Sequence, residues 1–181
     1  MDPDFSPFPL LTTNRLTLRQ ISNEDATELF WLRSSPTVMQ YIGRPLAVSI
    51  DDVWKLIDII ESARAKNDGI TWAITTNESP KLIGTIGYWK LEKENYRAEI
   101  GYLLHPAFYR KGIMHEAFQA VIPYGFNSIK LHSIEANVNP ENTASIKLLE
   151  RNDFIREAYF KENCFWNGKF CDSAIYSLIN K

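Results

Sequence analysis

The chain has 181 residues, 45% of them hydrophobic and 23% charged, which suffices for one folded core and is too apolar for a disordered chain. A formal charge of −2 gives no basic footprint for nucleic acid or an anionic membrane, and two cysteines are too few for a disulfide framework or a four-cysteine zinc site, so no metal is expected. No apolar run approaches the roughly 20 residues that span a bilayer, and the acidic, Pro-rich start from Met1 to Pro9 is unlike a signal peptide, which makes the cytoplasm the expected location.

Prolines at 3, 7 and 9 forbid a helix and make residues 1–10 an extended arm. Leu16 and Leu18 alternate with Arg15, Thr17 and Arg19, which predicts a strand over Thr13–Gln20. Ser22 with Asp25 three residues on predicts a capped helix start, with Ala26, Leu29 and Phe30 in the apolar stripe. Residues 34–48 hold Pro36, Gly43 and Pro45 and read as irregular. A second helix runs from about Ile50 to Lys66, with Val53, Trp54, Ile57 and Ile60 on one face, and stops near Asn67-Asp68-Gly69.

Three strands follow at short spacing: Thr71–Thr76, Leu82–Leu91 and Tyr96–Leu104. The turns Asn77-Glu78-Ser79-Pro80 and Lys93-Glu94-Asn95 make them an antiparallel meander. After Gly112, Ile113, Ala117 and Val121 fall at helical spacing beside Met114, Phe118 and Ile122; Pro123 is expected to kink this helix or end it early. A strand (His132–Val138), a helix (Asn142–Arg151) and a hairpin around Asn167-Gly168 complete the chain. The order predicts an α/β (α+β) fold in a single domain: a mixed, mostly antiparallel central sheet with helices on both faces.

The turn Tyr109-Arg110-Lys111-Gly112-Ile113-Met114 breaks a local rule. A helix N-terminus carries roughly half a positive charge and favours acids, yet two cations precede this one. An anion held by backbone N–H groups at that turn removes the conflict, and the turn reads as a phosphate site. The plain alternative is a solvated Arg-Lys pair beside a turn glycine. Neither the Gly-x-Gly-x-x-Gly of a dinucleotide fold nor the Gly-Lys-Ser/Thr of a P-loop is present. A second constellation spans Asn137 to Ser145. Asn139 is placed to cap a helix with Pro140 in its first position, and Asn142 and Ser145 lie three apart, able to present an amide and a hydroxyl to a ligand.

Five stretches in this order resemble the GNAT superfamily of acyl-CoA-dependent N-acetyltransferases, in its RimJ/RimL-like branch. They are Leu11-x-Thr13-x-Arg15-Leu16-x-Leu18-Arg19, Ala98-Glu99-Ile100-Gly101-Tyr102, Arg110-Lys111-Gly112 with Glu116-Ala117, Asn139-x-x-Asn142-x-x-Ser145, and Asp172 with Tyr176. The resemblance covers most of the chain. It implies acetyl-CoA as co-substrate, with the pyrophosphate on the N–H groups of Lys111, Gly112, Ile113 and Met114 and the pantetheine arm along Leu103-Leu104. Tyr109 and Arg110 belong to the same turn, and Asn142 lines the donor site. The family pattern is Gln/Arg-x-x-Gly-x-Gly/Ala; Tyr109 replaces its first residue and Met114 its last. The Met114 side chain is expected to turn into the core and leave its N–H free.

The resemblance further makes Glu99 the candidate base and Ser145 the counterpart of a residue that protonates the departing thiolate. Cys164 is not expected to be a nucleophile, because the family transfers its acyl group directly. The implied partner is an amine acceptor, with a homodimer left open and neither nucleic acid nor membrane involved. At pH 7, freeing an α-amine near pKa 8 takes about 1.4 kcal/mol and a lysine amine near 10.4 about 4.6, which favours a protein N-terminus. A polyamine, amino acid or antibiotic acceptor is the alternative, and a non-catalytic acyl-CoA sensor the reading from a different class. Of the aromatics Trp31, Tyr41, Trp54, Trp72, Tyr88 and Trp89, most are expected in the core, with one or two from the 34–48 loop at the acceptor cleft. Arg33 and Arg44 are able to meet an acidic substrate, though solvated surface is the ordinary expectation. A two-residue Asn167-Gly168 turn pairs Cys164 with Cys171, expected to stay thiols in a reducing cytosol.

Overall fold

The computed structural model describes residues 1–180. Its eight strands are β1 (Leu11–Thr12), β2 (Leu16–Gln20), β3 (Ile70–Thr76), β4 (Ser79–Glu92), β5 (Arg97–Leu104), β6 (Ser133–Val138), β7 (Ile155–Trp166) and β8 (Lys169–Ile179). The helices are α1 (Ala26–Ser34), α2 (Pro36–Met39), α3 (Ile50–Ala65), α4 (Ile113–Tyr124) and α5 (Thr143–Arg151). All strands join one sheet in the order β1-β2-β3-β4-β5-β6-β8-β7, antiparallel at every step except β5 to β6. Among the described residues no helix is long and apolar enough to cross a membrane.

Strand alternation sends successive side chains to opposite faces, and each face has its own core. Trp72, Ile86, Ile100 and Ala136 pack with Ile113, Ala117, Phe118 and Val121 of α4 and Leu149 of α5. On the other face Ala73 and Leu82 pack with Leu29 and Leu32 of α1, Val38 of α2, and Val53 and Ile57 of α3. The expected mixed sheet with helices on both faces is the architecture observed.

Several local expectations need correction. The strand expected over Thr13–Gln20 begins only at Leu16, as β2; residues 13–15 form the turn that joins it to β1, closed by Thr13 N–H to the Leu16 carbonyl at 2.9 Å and Leu16 N–H to Thr13 Oγ1 at 3.0 Å. The irregular 34–48 segment contains α2, started by Pro36 in the first turn and capped by Ser35 Oγ. Pro123 lies inside α4 rather than ending it. The helix continues to Tyr124 and relaxes into a π turn over Gly125–Ile129, where the buried Tyr88 hydroxyl donates to the Val121 carbonyl at 2.9 Å. Of the six aromatics expected mostly in the core, Trp72 and Tyr88 are buried, whereas Trp31, Trp54 and Trp89 are exposed and Tyr41 is half-buried.

The β7–β8 hairpin has the expected register. Asn167 and Gly168 both take positive φ, as a two-residue turn of this kind requires, and pair Trp166 with Lys169, Phe165 with Phe170 and Cys164 with Cys171. Both cysteines are free thiols.

Candidate active site

The site begins where the one parallel strand pair comes apart. β5 and β6 pair only over Arg97–Ser133, Ala98–Ile134 and Glu99–Glu135, yet β5 runs on to Leu104 and β6 to Val138. Beyond Glu99 the two strands diverge into a wedge. On its other side β5 stays bonded to β4, with Tyr102, Leu103 and Leu104 opposite Ile86, Thr85 and Gly84. The edge of Ile100–Leu104 facing β6 therefore has no ladder partner among the described residues. Such an edge is a template for an added strand-like ligand.

The phosphate turn lies at the end of β5. Gly112 takes φ +75°, a left-handed conformation that only glycine adopts without strain, and Arg110 also has positive φ, at 59°. Gly112 is the N-cap of α4, and the first intrahelical bond runs from Glu116 N–H to its carbonyl at 3.0 Å. The N–H groups of Ile113, Met114 and His115 precede that bond, and no side chain caps them. Met114 is buried against the α4-side core. Its bulk is thus turned away from the helix N-terminus, as expected.

The turn is held from behind. Glu116 Oε1 accepts from Thr13 Oγ1 at 2.6 Å and from Arg15 N–H at 2.9 Å, and Oε2 accepts from Arg15 Nε at 2.6 Å. Arg15 Nη1 also donates to the Lys111 carbonyl at 3.0 Å. Burial alone would raise the Glu116 pKa, but these donors outweigh it and hold the carboxyl below its ordinary value. An acid in the first turn and an arginine on the turn carbonyl fix the backbone while leaving the N–H groups open. A hollow of about 490 Å³ lies beside this clamp, lined by Arg15, Gly112, His115, Gln119 and Arg151 among others; it does not extend into the wedge.

The second constellation differs from expectation in its cap. Asn142, not Asn139, is the N-cap of α5, with Oδ1 accepting from Ser145 N–H at 3.1 Å. Asn139 Oδ1 instead accepts from Glu141 N–H at 2.8 Å and shapes the preceding turn, so Pro140 lies before the helix. The Asn142 carbonyl oxygen is thus occupied in the cap and its NH₂ is left for a ligand. Ser145 Oγ lies 2.5 Å from the Tyr102 hydroxyl, a bond that bridges α5 to β5 across the wedge. Tyr102 packs edge-on against Phe118 of α4, ring centroids 5.0 Å apart, and burial pushes its hydroxyl up to about 12.

Glu99 stands on the opposite face of β5, at the last paired residue before the wedge opens. Burial, assisted by the neighbouring Glu135 charge, raises its carboxyl to about 7, against the pull of Lys90, Arg97 and the Asn137 N–H. Arg97 is itself engaged with Glu135. Trp89 pairs with Glu99 across β4 and β5, and its indole covers Gly101, where an added Cβ would stand 3.4 Å from the ring. A titratable carboxyl and a donor pair thus lie on opposite faces of β5, with the wedge between them.

The structure gathers Glu99, Leu103, Leu104, Asn142 and Ser145 around the wedge, with Tyr109, Arg110, Lys111, Gly112, Ile113 and Met114 in the turn that follows β5. Sequence reading misses two elements. Tyr102 shares the alternation of Ile100 and Leu104, a core signal that hides its hydroxyl. The Arg15–Glu116 clamp joins residues 101 apart in sequence, and its only local trace is an acid in the first turn of α4.

The acetyltransferase (GNAT) domain model matches residues 15–155. The uncharacterized N-acetyltransferase YoaA of Bacillus subtilis is 36% identical over 172 residues, covering 95% of this chain and 97% of that protein. A GNAT-family acetyltransferase from Bacillus anthracis superimposes with a TM-score of 0.84 at 27% identity, over 94% of this chain and 98% of that one. RimL, a ribosomal L7/L12 alpha-N-protein acetyltransferase solved with coenzyme A, shares the fold with a TM-score of 0.87 at 21% identity, over 94% and 98% of the two chains. With the split parallel pair, the uncapped helix start and this sequence match spanning most of its length, the chain belongs to the GNAT family and is an N-acetyltransferase.

Proposed function

We propose that the chain transfers the acetyl group of acetyl-CoA to a protein N-terminal α-amine. The donor lies in the wedge. Its pyrophosphate takes the open N–H groups around Gly112, Ile113 and Met114, with Tyr109, Arg110 and Lys111 alongside, and its pantetheine arm pairs with the edge at Leu103 and Leu104. The Asn142 NH₂ lines the same groove. The thioester then meets the amine beside Glu99, which takes the proton of the ammonium. The free amine attacks the carbonyl, its nitrogen gives up a second proton to sulfur or solvent as the C–S bond breaks, and CoA leaves with the Tyr102–Ser145 pair beside its sulfur.

The proton balance supports the acceptor class. A carboxylate at about 7 removes a proton from an α-ammonium near 8 at a cost of roughly 1.4 kcal/mol, against roughly 4.6 kcal/mol for a lysine-type ammonium near 10.4. Relatives are named for both kinds of acceptor. The [ribosomal protein uS5]-alanine N-acetyltransferase of Escherichia coli is 24% identical over 173 residues, covering 93% of this chain and 89% of that one. The spermidine N(1)-acetyltransferase of Vibrio cholerae is 24% identical over 171 residues, covering 93% and 95%. The same balance refines the Ser145 role. A Tyr102 hydroxyl at about 12 is too weak an acid to protonate a thiolate near 8.5 outright, an uphill step of about 5 kcal/mol. The pair therefore steadies the thiolate by hydrogen bonding, and the proton held by Glu99 returns to solvent or sulfur. Most of the acceleration comes from holding amine and thioester together.

The observation that carries this reading is the position of Glu99, a carboxyl raised to about 7 at the point where the parallel strands separate. The test is CoA release with a panel of peptides and small amines. Turnover on free α-amines, and little on N-blocked peptides whose only amine is lysine, is the expected result. Turnover confined to polyamines or lysine side chains contradicts it.

A further inference from the structure

On the acceptor side of β5 lies a pair of arginines that the transfer reaction does not use. Arg33 falls seven residues after Ala26 and four after Leu29, on the α1 stripe and so on the helix face turned to the sheet. It is half-buried there. Arg44 comes from the loop after α2, which is fixed beside the last turn of α1 by Ala47 N–H donating to the Arg33 carbonyl at 3.0 Å. The Arg44 guanidinium lies 6.0 Å from the centre of the Trp89 ring, and Trp89 is the cross-strand partner of Glu99. Neither arginine meets a carboxylate among the described residues, which is also true of Arg110, Arg151 and Arg156; what sets this pair apart is that Arg33 is half-buried and feels the charge of Arg44.

A half-buried cation with a second, exposed cation beside it and no counter-charge is a costly arrangement. Burial first, and then the Arg44 charge, lower the Arg33 pKa, so the folded protein bears part of that cost. The C-terminal dipole of α1 offsets only a fraction of it. An anion arriving with the acceptor removes the rest. The path from Glu99 crosses one strand spacing to Trp89, about 5 Å, and then 6.0 Å from its ring to Arg44. At about 3.3 Å per residue of extended chain, that span of about 11 Å matches about three residues.

We propose that Arg33 and Arg44 form an anion subsite for the acceptor, so that the preferred substrate is a peptide N-terminus with an acidic side chain near its third residue. The inference rests on the α-amine reading above and adds the acceptor's charge to it. It also runs against a polyamine, whose second cation would face two arginines.

The test compares kcat/KM for two peptides that differ only by Glu or Gln at the third residue, with spermidine as a third acceptor. Wild type is expected to favour the Glu peptide by about tenfold, with the ratio falling as salt is raised. The ratio is expected to collapse towards one in Arg44→Gln, an exposed position where folding is not at stake, and in Arg33→Gln, while Arg33→Lys keeps part of it. Equal rates on the two peptides in wild type would overturn the anion subsite and leave the α-amine reading standing. A preference that survives both glutamine variants would overturn the assignment to these arginines. Turnover of spermidine with neither peptide acetylated would overturn both readings together.

Discussion

A carboxyl raised to about 7 is half-ionised near neutrality, and burial at the mouth of the wedge is the main reason for its shift. Two effects of pH follow for Glu99, with opposite signs. As a base it must be ionised, so kcat/KM rises with pH through about 7. As a buried acid it favours the folded state when protonated. That stability is fully present below about 4.5 and is lost as pH climbs through about 7. Glu99→Gln is expected to lower kcat about a hundredfold and to remove the rising limb near 7 from the kcat/KM profile. It should also raise Tm relative to wild type at pH 8 but not at pH 4. A variant that keeps both the rate and the limb would remove Glu99 from the reaction. On the other face, Tyr102→Phe and Ser145→Ala each leave one hydroxyl without its partner. Each is expected to lower kcat about tenfold while the KM for acetyl-CoA changes little, because the pair acts at the sulfur; the double variant should lose no more than slightly beyond either single one.

At the scale of elements, the turn between β5 and α4 works because opposite demands are met by different atoms. Its N–H groups stay uncapped, as the proposed pyrophosphate site requires, while its carbonyl and the first helical turn are held by Arg15 and Glu116. Glu116→Gln weakens that clamp, whose Arg15 side is half-exposed, by about 1 kcal/mol, and calorimetry should show CoA binding roughly fivefold weaker with kcat nearly retained. Gly112→Asp adds a carboxylate and a strained φ at the same place and is expected to abolish CoA binding. At this scale the sequence is legible wherever the signal is local. The Asn167-Gly168 turn forecasts the Cys164–Cys171 register, and thiol titration under reducing conditions should count two free cysteines. The helical spacing of Met114 with Phe118 forecasts its burial. The cap of α5 was harder to read, because Asn139 and Asn142 both suit an N-cap and only the backbone after Pro140 chooses between them. Pro123 misleads for a related reason: the chain beside it, where the Tyr88 hydroxyl bonds the Val121 carbonyl from 33 residues away, continues as a π turn that no local signal announces.

For the whole molecule, the decisive feature is the one that no local pattern encodes. β5 and β6 both read as ordinary strands, and nothing in either announces that their pairing stops after Glu99. The split arises because β5 remains bonded to β4 along its length while β6 follows β8, with α4 and α5 packed beneath the gap. Because the sheet has a core on each face, the proposed function brings donor and acceptor to the gap from different sides, to meet at one backbone edge. Arg33 makes the same point about scale. Its spacing from Ala26 and Leu29 is visible in the sequence, but its lack of a carboxylate partner emerges only once the loop after α2 is bonded to its carbonyl and brings Arg44 over Trp89 of β4. The measurement that bears most directly on this account is mass spectrometry of a peptide carrying both a free α-amine and a lysine, incubated with acetyl-CoA and the enzyme. One acetyl group on the α-amine, formed with an equal amount of free CoA and slowed about a hundredfold by Glu99→Gln, is the predicted result. Acetylation at the lysine instead, or an equal rate in the variant, would contradict it.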